Sequence, residues 1–206
     1  MASVCPTIPA HEFPKNERGF IFFMNSQLSD LDRRCGELGA AVALFDMGEK
    51  KLRRKNCSSK GSEVGTHWVY MATRECAAAI YKFDEDVYML NTNLNKCPTL
   101  LSKIDVVAKW AATKKLNQLF PDLKAIRDNG QHGGVLFGSP DKLREHTDGK
   151  LFQVDNIVGR TWYSTHKKKR VSLEVSNKTH AALVDVRDMF WALFRHLDPF
   201  RDLPPF

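Results

Sequence analysis

The sequence predicts an α+β fold that is mainly α: a helical bundle of four to five helices, with a small antiparallel β-sheet or hairpin just before the C-terminal helix. Three observations predict it. Apolar residues recur at i, i+3, i+4 and i+7 through most of the first 134 residues, the spacing of an amphipathic helix. Residues 150–175 are instead rich in Val, Ile, Thr, Trp and Tyr with partial alternation, the pattern of half-buried strands. Helical spacing then returns over 177–198. We read one domain over 1–206, with a bundle at 17–134, a hairpin or sheet at 150–175 and a last helix at 177–198 that packs back.

The elements follow in order. A Pro-containing leader precedes a first helix over 17 to about 46, with Phe20, Phe23, Leu28, Leu31, Cys35 and Leu38 inward. The polar, basic stretch from Met47 to Gly65 contains Gly and Ser and reads as a loop. Thr66 can cap a second helix, whose buried stripe is Trp68, Met71, Ala72, Cys76, Ala79, Ile80 and Phe83. The string NTNLNKCP at 91–98 breaks it. A third helix follows with Leu101, Ile104, Val107, Ala108, Ala111, Leu116 and Leu119 inward. Pro121 can open a short helix, since proline is tolerated in the first turn, and Gly133 and Gly134 can close it. Val171, Leu173 and Val175 alternate with Ser172 and Glu174, and Lys167 to Lys169 are placed at the turn between strands. The last helix turns Leu183, Val186, Phe190, Leu193 and Leu197 inward.

Length and composition exclude several classes. The chain has 206 residues, 43% of them hydrophobic, enough to build a packed core. No apolar run approaches the roughly 20 residues of a membrane span, and the N-terminal residues lack the pattern of a secretory signal. Cys5, Cys35, Cys57, Cys76 and Cys97 form no CxxC pair, so the spacing of a structural zinc site is missing. Reduced thiols in a cytoplasmic protein fit this usage. No HExxH or GxGxxG occurs, and no metal or other cofactor is expected. The formal charge of +7 implies affinity for a polyanion, RNA, DNA or anionic lipid.

One short string carries nameable chemistry. LKAIRDNGQHGG, from Leu123 to Gly134, sets Arg127 and Asp128 ahead of His132. Arginine holds a phosphate by paired hydrogen bonds, and histidine moves a proton near neutral pH. Together they could cleave RNA without metal, through attack by the adjacent 2′-hydroxyl. Five residues of regular helix turn the second side chain about 140° beyond a full turn. Gly130 and Gly133 loosen the backbone there, so both could still reach one pocket. Structural roles are equally open to both residues: a surface arginine bonded to a carboxylate or to terminal carbonyls, and a helix-end histidine set against the dipole.

An arginine followed by a polar residue and, within four to six positions, a histidine, at the end of a short helix in a bundle, resembles the signature of the HEPN superfamily. Arg127, Asp128 and His132 match its positions one by one, over a bundle that spans roughly 17–132. The resemblance implies a helical bundle, frequent homodimers that join two motifs, and often metal-independent endoribonuclease activity in toxins, defence proteins or RNA-processing enzymes. It also leaves room for a different class, since many such domains keep the helices without cleaving RNA. That alternative is a non-catalytic interaction or dimerisation domain, which could itself bind nucleic acid or a protein partner.

Two basic segments are candidate phosphate contacts: Lys50, Lys51, Arg53 and Arg54, and Lys167, Lys168, Lys169 and Arg170 beside Tyr163 and His166. Cationic side chains next to an aromatic suit single-stranded RNA. The plain reading is a solvated loop and a charged turn guarding an edge strand. Arg74 and Glu75 could face the Arg127 region or simply sit on a helix surface.

Overall fold

The protein is described by a computed structural model covering residues 4–54, 59–126, 156–166 and 169–200. It is α+β and mainly α. Helices α1 (Lys15–Leu52), α2 (Ser59–Leu94), α3 (Pro98–Leu101) and α4 (Val106–Leu119) come first. Strands β1 (Asn156–Val158), β2 (Thr161–His166) and β3 (Lys169–Glu174) precede helix α5 (Asn177–Ala192). The sheet is antiparallel in the order β1-β2-β3. The chain divides into two compact units. The first comprises Met1–Cys35, Lys82–Phe120 and Ala181–Phe206, the second Gly36–Tyr81 and Pro121–His180.

In the first unit the inward stripe of α1 is Ile21, Met24, Leu28, Leu31 and Cys35. Phe23, expected inside, is 58% exposed; with Ile21 and Met24 both inward, position 23 lies on the opposite face of the 3.6-residue repeat. The leader is tied down by Asn25, whose side chain accepts from Ile8 N and donates to Ile8 O, both at 2.9 Å. Glu17 is buried on α1 and accepts from Thr99 N (3.1 Å) and Leu100 N (3.3 Å). Its carboxylate thus satisfies amides at the start of α3 that no helical carbonyl can reach. The buried indole Nε1 of Trp191 donates to Leu28 O at 3.0 Å, docking α5 against α1 in this unit.

The expected third helix is two. α3 ends after Leu101, and a fresh helix starts at Val106, where Asp105 is extended and accepts from Val107 N (2.8 Å) and Ala108 N (3.0 Å). Such a cap contributes about 1 kcal/mol. The restart rotates the face of α4, so Lys109, Ala112 and Leu116 point inward while Val107 and Ala111 are exposed. Trp110 is also exposed, at 65%.

In the second unit the expected loop from Met47 to Gly65 is mostly helix. α1 continues to Leu52 and α2 begins at Ser59. Thr66 is therefore inside α2, where its hydroxyl donates to Ser62 O. Gly48 and Gly65 lie where the two helices meet. A Cβ on Gly48 would stand 3.0 Å from Gly65 O, and a Cβ on Gly65 would stand 3.2 Å from Gly48 O. These glycines are close-approach residues and not turn residues. Met71, expected in the stripe of α2, is 55% exposed, while Ala72, Cys76, Ala79 and Ile80 are buried as expected. α2 also runs through residues 91–94, and the break comes at Asn95–Cys97.

The sheet of the second unit follows its alternation. Trp162, Ser164, Val171 and Leu173 are buried, with Trp162 opposite Leu173 and Ser164 opposite Val171. Gly159, at φ 60°, turns the chain from β1 into β2. Ser176 starts α5 by accepting from Thr179 N at 3.3 Å.

Candidate nucleic-acid interface

The first basic segment sits at the end of a helix and not in a loop. Lys50 and Lys51 lie in the last turn of α1, where cations complement the partial negative charge of the helix terminus. Lys51 extends over the ring of Trp68, with Nζ 5.1 Å from its centroid, a cation–π contact. Arg53 pairs with Glu49 at 3.1 Å. Lys50 and Arg54 are exposed. Of the four predicted cations, two thus present their charge to solvent and two are partly engaged by the protein itself.

An unexpected cation organises this region. Arg160, at the β1–β2 turn, bonds Asp46 (2.6 Å) and Glu49 (3.1 Å) through Nη1, and Val175 O (2.8 Å) through Nε. Its guanidinium also lies 4.9 Å from the centroid of Phe45. Arg160 therefore ties the turn and the end of β3 to α1. Sequence reasoning missed it because its two carboxylate partners are more than 110 positions away and no local pattern marks them.

The second basic segment belongs to the hairpin. The ladder closes with His166 opposite Lys169, so Lys169 is on β3 and not in the turn. Lys167 and Lys168 lie outside the described residues. Lys169 and Arg170 are exposed, and the Arg170 guanidinium stacks 4.1 Å from the centroid of the Tyr163 ring. This joins a predicted cation to its predicted aromatic. Tyr163 and Arg170 are diagonal neighbours, since Tyr163 faces Ser172 and Arg170 faces Thr165. A diagonal pair is within reach of long side chains on one sheet face.

Arg127, Asp128 and His132 lie outside the described residues. The segment leading to them is described: Pro121 and Asp122 form a turn and residues 123–126 are helical. Ile126 N donates to Asp122 O at 2.9 Å, and Leu123 and Ile126 are buried. The helix thus opens just after Pro121, where the sequence places it. Arg74 and Glu75 are both exposed on α2.

No described thiol is activated. Burial pushes Cys35 and Cys76 up to about 12 and Cys5 and Cys97 up to about 11, so each stays protonated at neutral pH. Burial also raises Asp86, partly offset by its 3.0 Å hydrogen bond from Arg34. Burial and the neighbouring Glu85 raise Asp84. Among the described residues no three His, Cys, Asp or Glu gather as a metal site, and no helix is long and apolar enough to cross a membrane.

Charge is divided unevenly along the chain. The residue ranges of the second unit hold 18 Lys and Arg against 12 Asp and Glu, and those of the first hold 13 against 12. The second unit thus carries +6 of the chain's +7. Comparison with protein families, with curated proteins and with solved structures finds no match to this chain.

Proposed function

We propose that the chain is an HEPN-like RNA-binding protein and a metal-independent endoribonuclease. The observation that carries this reading is that +6 of the +7 formal charge falls in the unit that also contains the helix start at 123–126. A polyanion is drawn to such a charge excess, and the helix leads directly into the string holding Arg127, Asp128 and His132.

In this reading His132 takes the proton of an RNA 2′-hydroxyl, whose oxygen attacks the adjacent phosphorus. The bond to the 5′-oxygen breaks, that oxygen is protonated, and a 2′,3′-cyclic phosphate and a 5′-hydroxyl result. Arg127 neutralises charge that builds on the phosphoryl oxygens, and Asp128 orients the pair. Proton transfer of this kind contributes about 10²- to 10⁴-fold in rate. A homodimer that brings two motifs together belongs to the same proposal, as does a cytoplasmic location, which the free thiols of Cys5, Cys35, Cys76 and Cys97 support.

The test is cleavage of labelled RNA in excess chelator by the wild type, His132→Ala and Arg127→Ala. Wild-type cleavage with a loss of at least about 100-fold in each variant is the expected result. Equal cleavage by all three removes this site. A second reading, a non-catalytic interaction or dimerisation domain, is favoured by the exposure of Phe22, Phe23, Val107 and Trp110 at 58–78%. RNA left intact by a protein that sediments as a dimer selects it.

A further inference from the structure

The first unit leaves an apolar strip uncovered where α1 and α2 run antiparallel. Three contacts define that edge: Arg34 with Asp86 at 3.0 Å, Gln27 with Asn93 at 3.4 Å, and Lys96 Nζ 5.1 Å from the centroid of the Phe20 ring. Phe23 is four residues before Gln27, and Met89 is four before Asn93. Both therefore lie on this edge, one turn to either side of the Gln27–Asn93 hydrogen bond. Phe23 is 58% exposed and Met89 46%, with Phe22 at 70% and Tyr88 at 69% beside them. The Phe22 ring meets that of Phe23 edge-on, centroids 6.1 Å apart. These three rings leave roughly 400 Å² open, the size of the largest apolar patches on monomers, which are often functional.

The same strip carries opposite charges at its two ends. On α2, Lys82, Glu85, Met89, Thr92 and Lys96 recur at intervals of three and four, the spacing of a seam between helices. Glu85 and Lys96 are exposed and make no ion pair among the described residues. They stand about 16 Å apart along the helix axis. At the acidic end Asp86 is matched by Arg34, whereas Glu85 stands beside Asp84 and pushes its carboxyl up.

We propose that two copies of the chain pair through this strip, with their α2 helices antiparallel across a two-fold axis. The inference rests on the homodimer of the proposed function and gives it a surface. Charge selects both the occupant and its direction. With the axis midway between Glu85 and Lys96, each Glu85 meets the partner's Lys96 and each Met89 meets the partner's Thr92, since a two-fold makes every contact twice. A parallel pair would set Glu85 on Glu85 and Lys96 on Lys96. A polyanion is disfavoured here by Asp84, Glu85 and Asp86. The aromatic rings lose water on pairing, and the two charge pairs at the rim fix the register.

The test is sedimentation equilibrium of the full chain at concentrations up to about 0.1 mM, for the wild type, Glu85→Lys, Lys96→Glu and the double charge exchange. The wild type is expected to dimerise. Each single reversal replaces two opposite-charge contacts by two like-charge ones, and is expected to weaken the dimer at least about 10-fold. The double exchange restores both contacts and is expected to return the dimer to within about 3-fold of wild type. Met89→Lys, an exposed change to a residue that suits a helix, is expected to leave a monomer, with an unchanged circular dichroism spectrum as the check on folding. A wild type that is monomeric throughout overturns the surface, and so does a dimer that both single reversals leave unchanged. A double exchange that stays dissociated overturns the antiparallel pairing. Any of these failures leaves the nuclease proposal intact if chelator-resistant cleavage still depends on His132. Conversely, cleavage indifferent to His132 and Arg127 defeats the nuclease, while a dimer that follows the charge exchange sustains the surface.

Discussion

Replacing Gly48 by alanine is the sharpest probe of how α1 meets α2. The added methyl would stand 2.8 Å from Val69 Cγ2, 3.0 Å from Gly65 O and 3.1 Å from Val69 N. Two of these three are backbone atoms and cannot rotate away. The third belongs to a buried, β-branched side chain that in a helix keeps almost one χ1 rotamer. Overpacking of this kind costs about 1–3 kcal/mol, and with three close contacts the upper part of that range applies. Alanine also returns about 1 kcal/mol of helix propensity over glycine, which leaves a net loss of about 1–2 kcal/mol. Gly36 supplies the control. It lies on the same helix with nothing within 4 Å of an added Cβ, so Gly36→Ala is expected to stabilise by about 0.5–1 kcal/mol. The same chemical exchange on one helix thus has opposite signs. Urea titrations followed by circular dichroism, at equal m, read both changes as shifts in midpoint. A Gly48→Ala protein at or above wild-type stability, beside a stabilised Gly36→Ala, would refute the close-approach reasoning.

Two further outcomes concern charge. Arg160→Met keeps the stem but leaves Asp46, Glu49 and Val175 O without their shared donor, and is expected to cost about 1–3 kcal/mol by urea titration. A loss below a few tenths would show the node to be incidental. For Asp84, burial raises the carboxyl above its ordinary value, so the folded state binds the proton more tightly than the unfolded chain does. Its contribution is present below the unfolded pKa and is lost as pH rises through the folded one. Asp84→Asn is therefore expected to raise stability at pH 7 relative to wild type and to shrink that gain as pH falls through the carboxylate range. Melting temperatures across pH 3–7 check this, and a gain that grows toward acid pH would reverse the sign.

The parts of the fold legible in the sequence are those set by local periodicity. The alternation of Val171, Leu173 and Val175 with exposed neighbours, the inward set of α5 from Leu183 to Phe190, and the helix start after Pro121 all read directly. Glycine misled where it serves packing. Gly48 and Gly65, in a polar basic stretch, look like punctuation, yet each permits a backbone approach within two helices. Phe23 and Val107 misled because hydrophobicity alone does not fix phase: the neighbouring Ile21 and Met24 set the register of α1, and the Asp105 cap sets that of α4. For the candidate interface, composition supplied Tyr163 and Arg170, and register made them a stack. Arg160 stayed hidden because its anchors are fixed by the tertiary fold.

The placement of the tryptophans has a spectroscopic consequence. Trp191, its indole bonded to Leu28 O and its ring beneath the Arg187 guanidinium at 4.4 Å, is buried in the first unit, and Trp162 is buried in the second. Each unit therefore carries its own buried fluorophore, with exposed Trp110 as a solvent reference. Tryptophan-to-phenylalanine variants that leave one emitter at a time would report separately when each unit opens, and so reveal whether the two halves of the chain melt as one cooperative body or in succession.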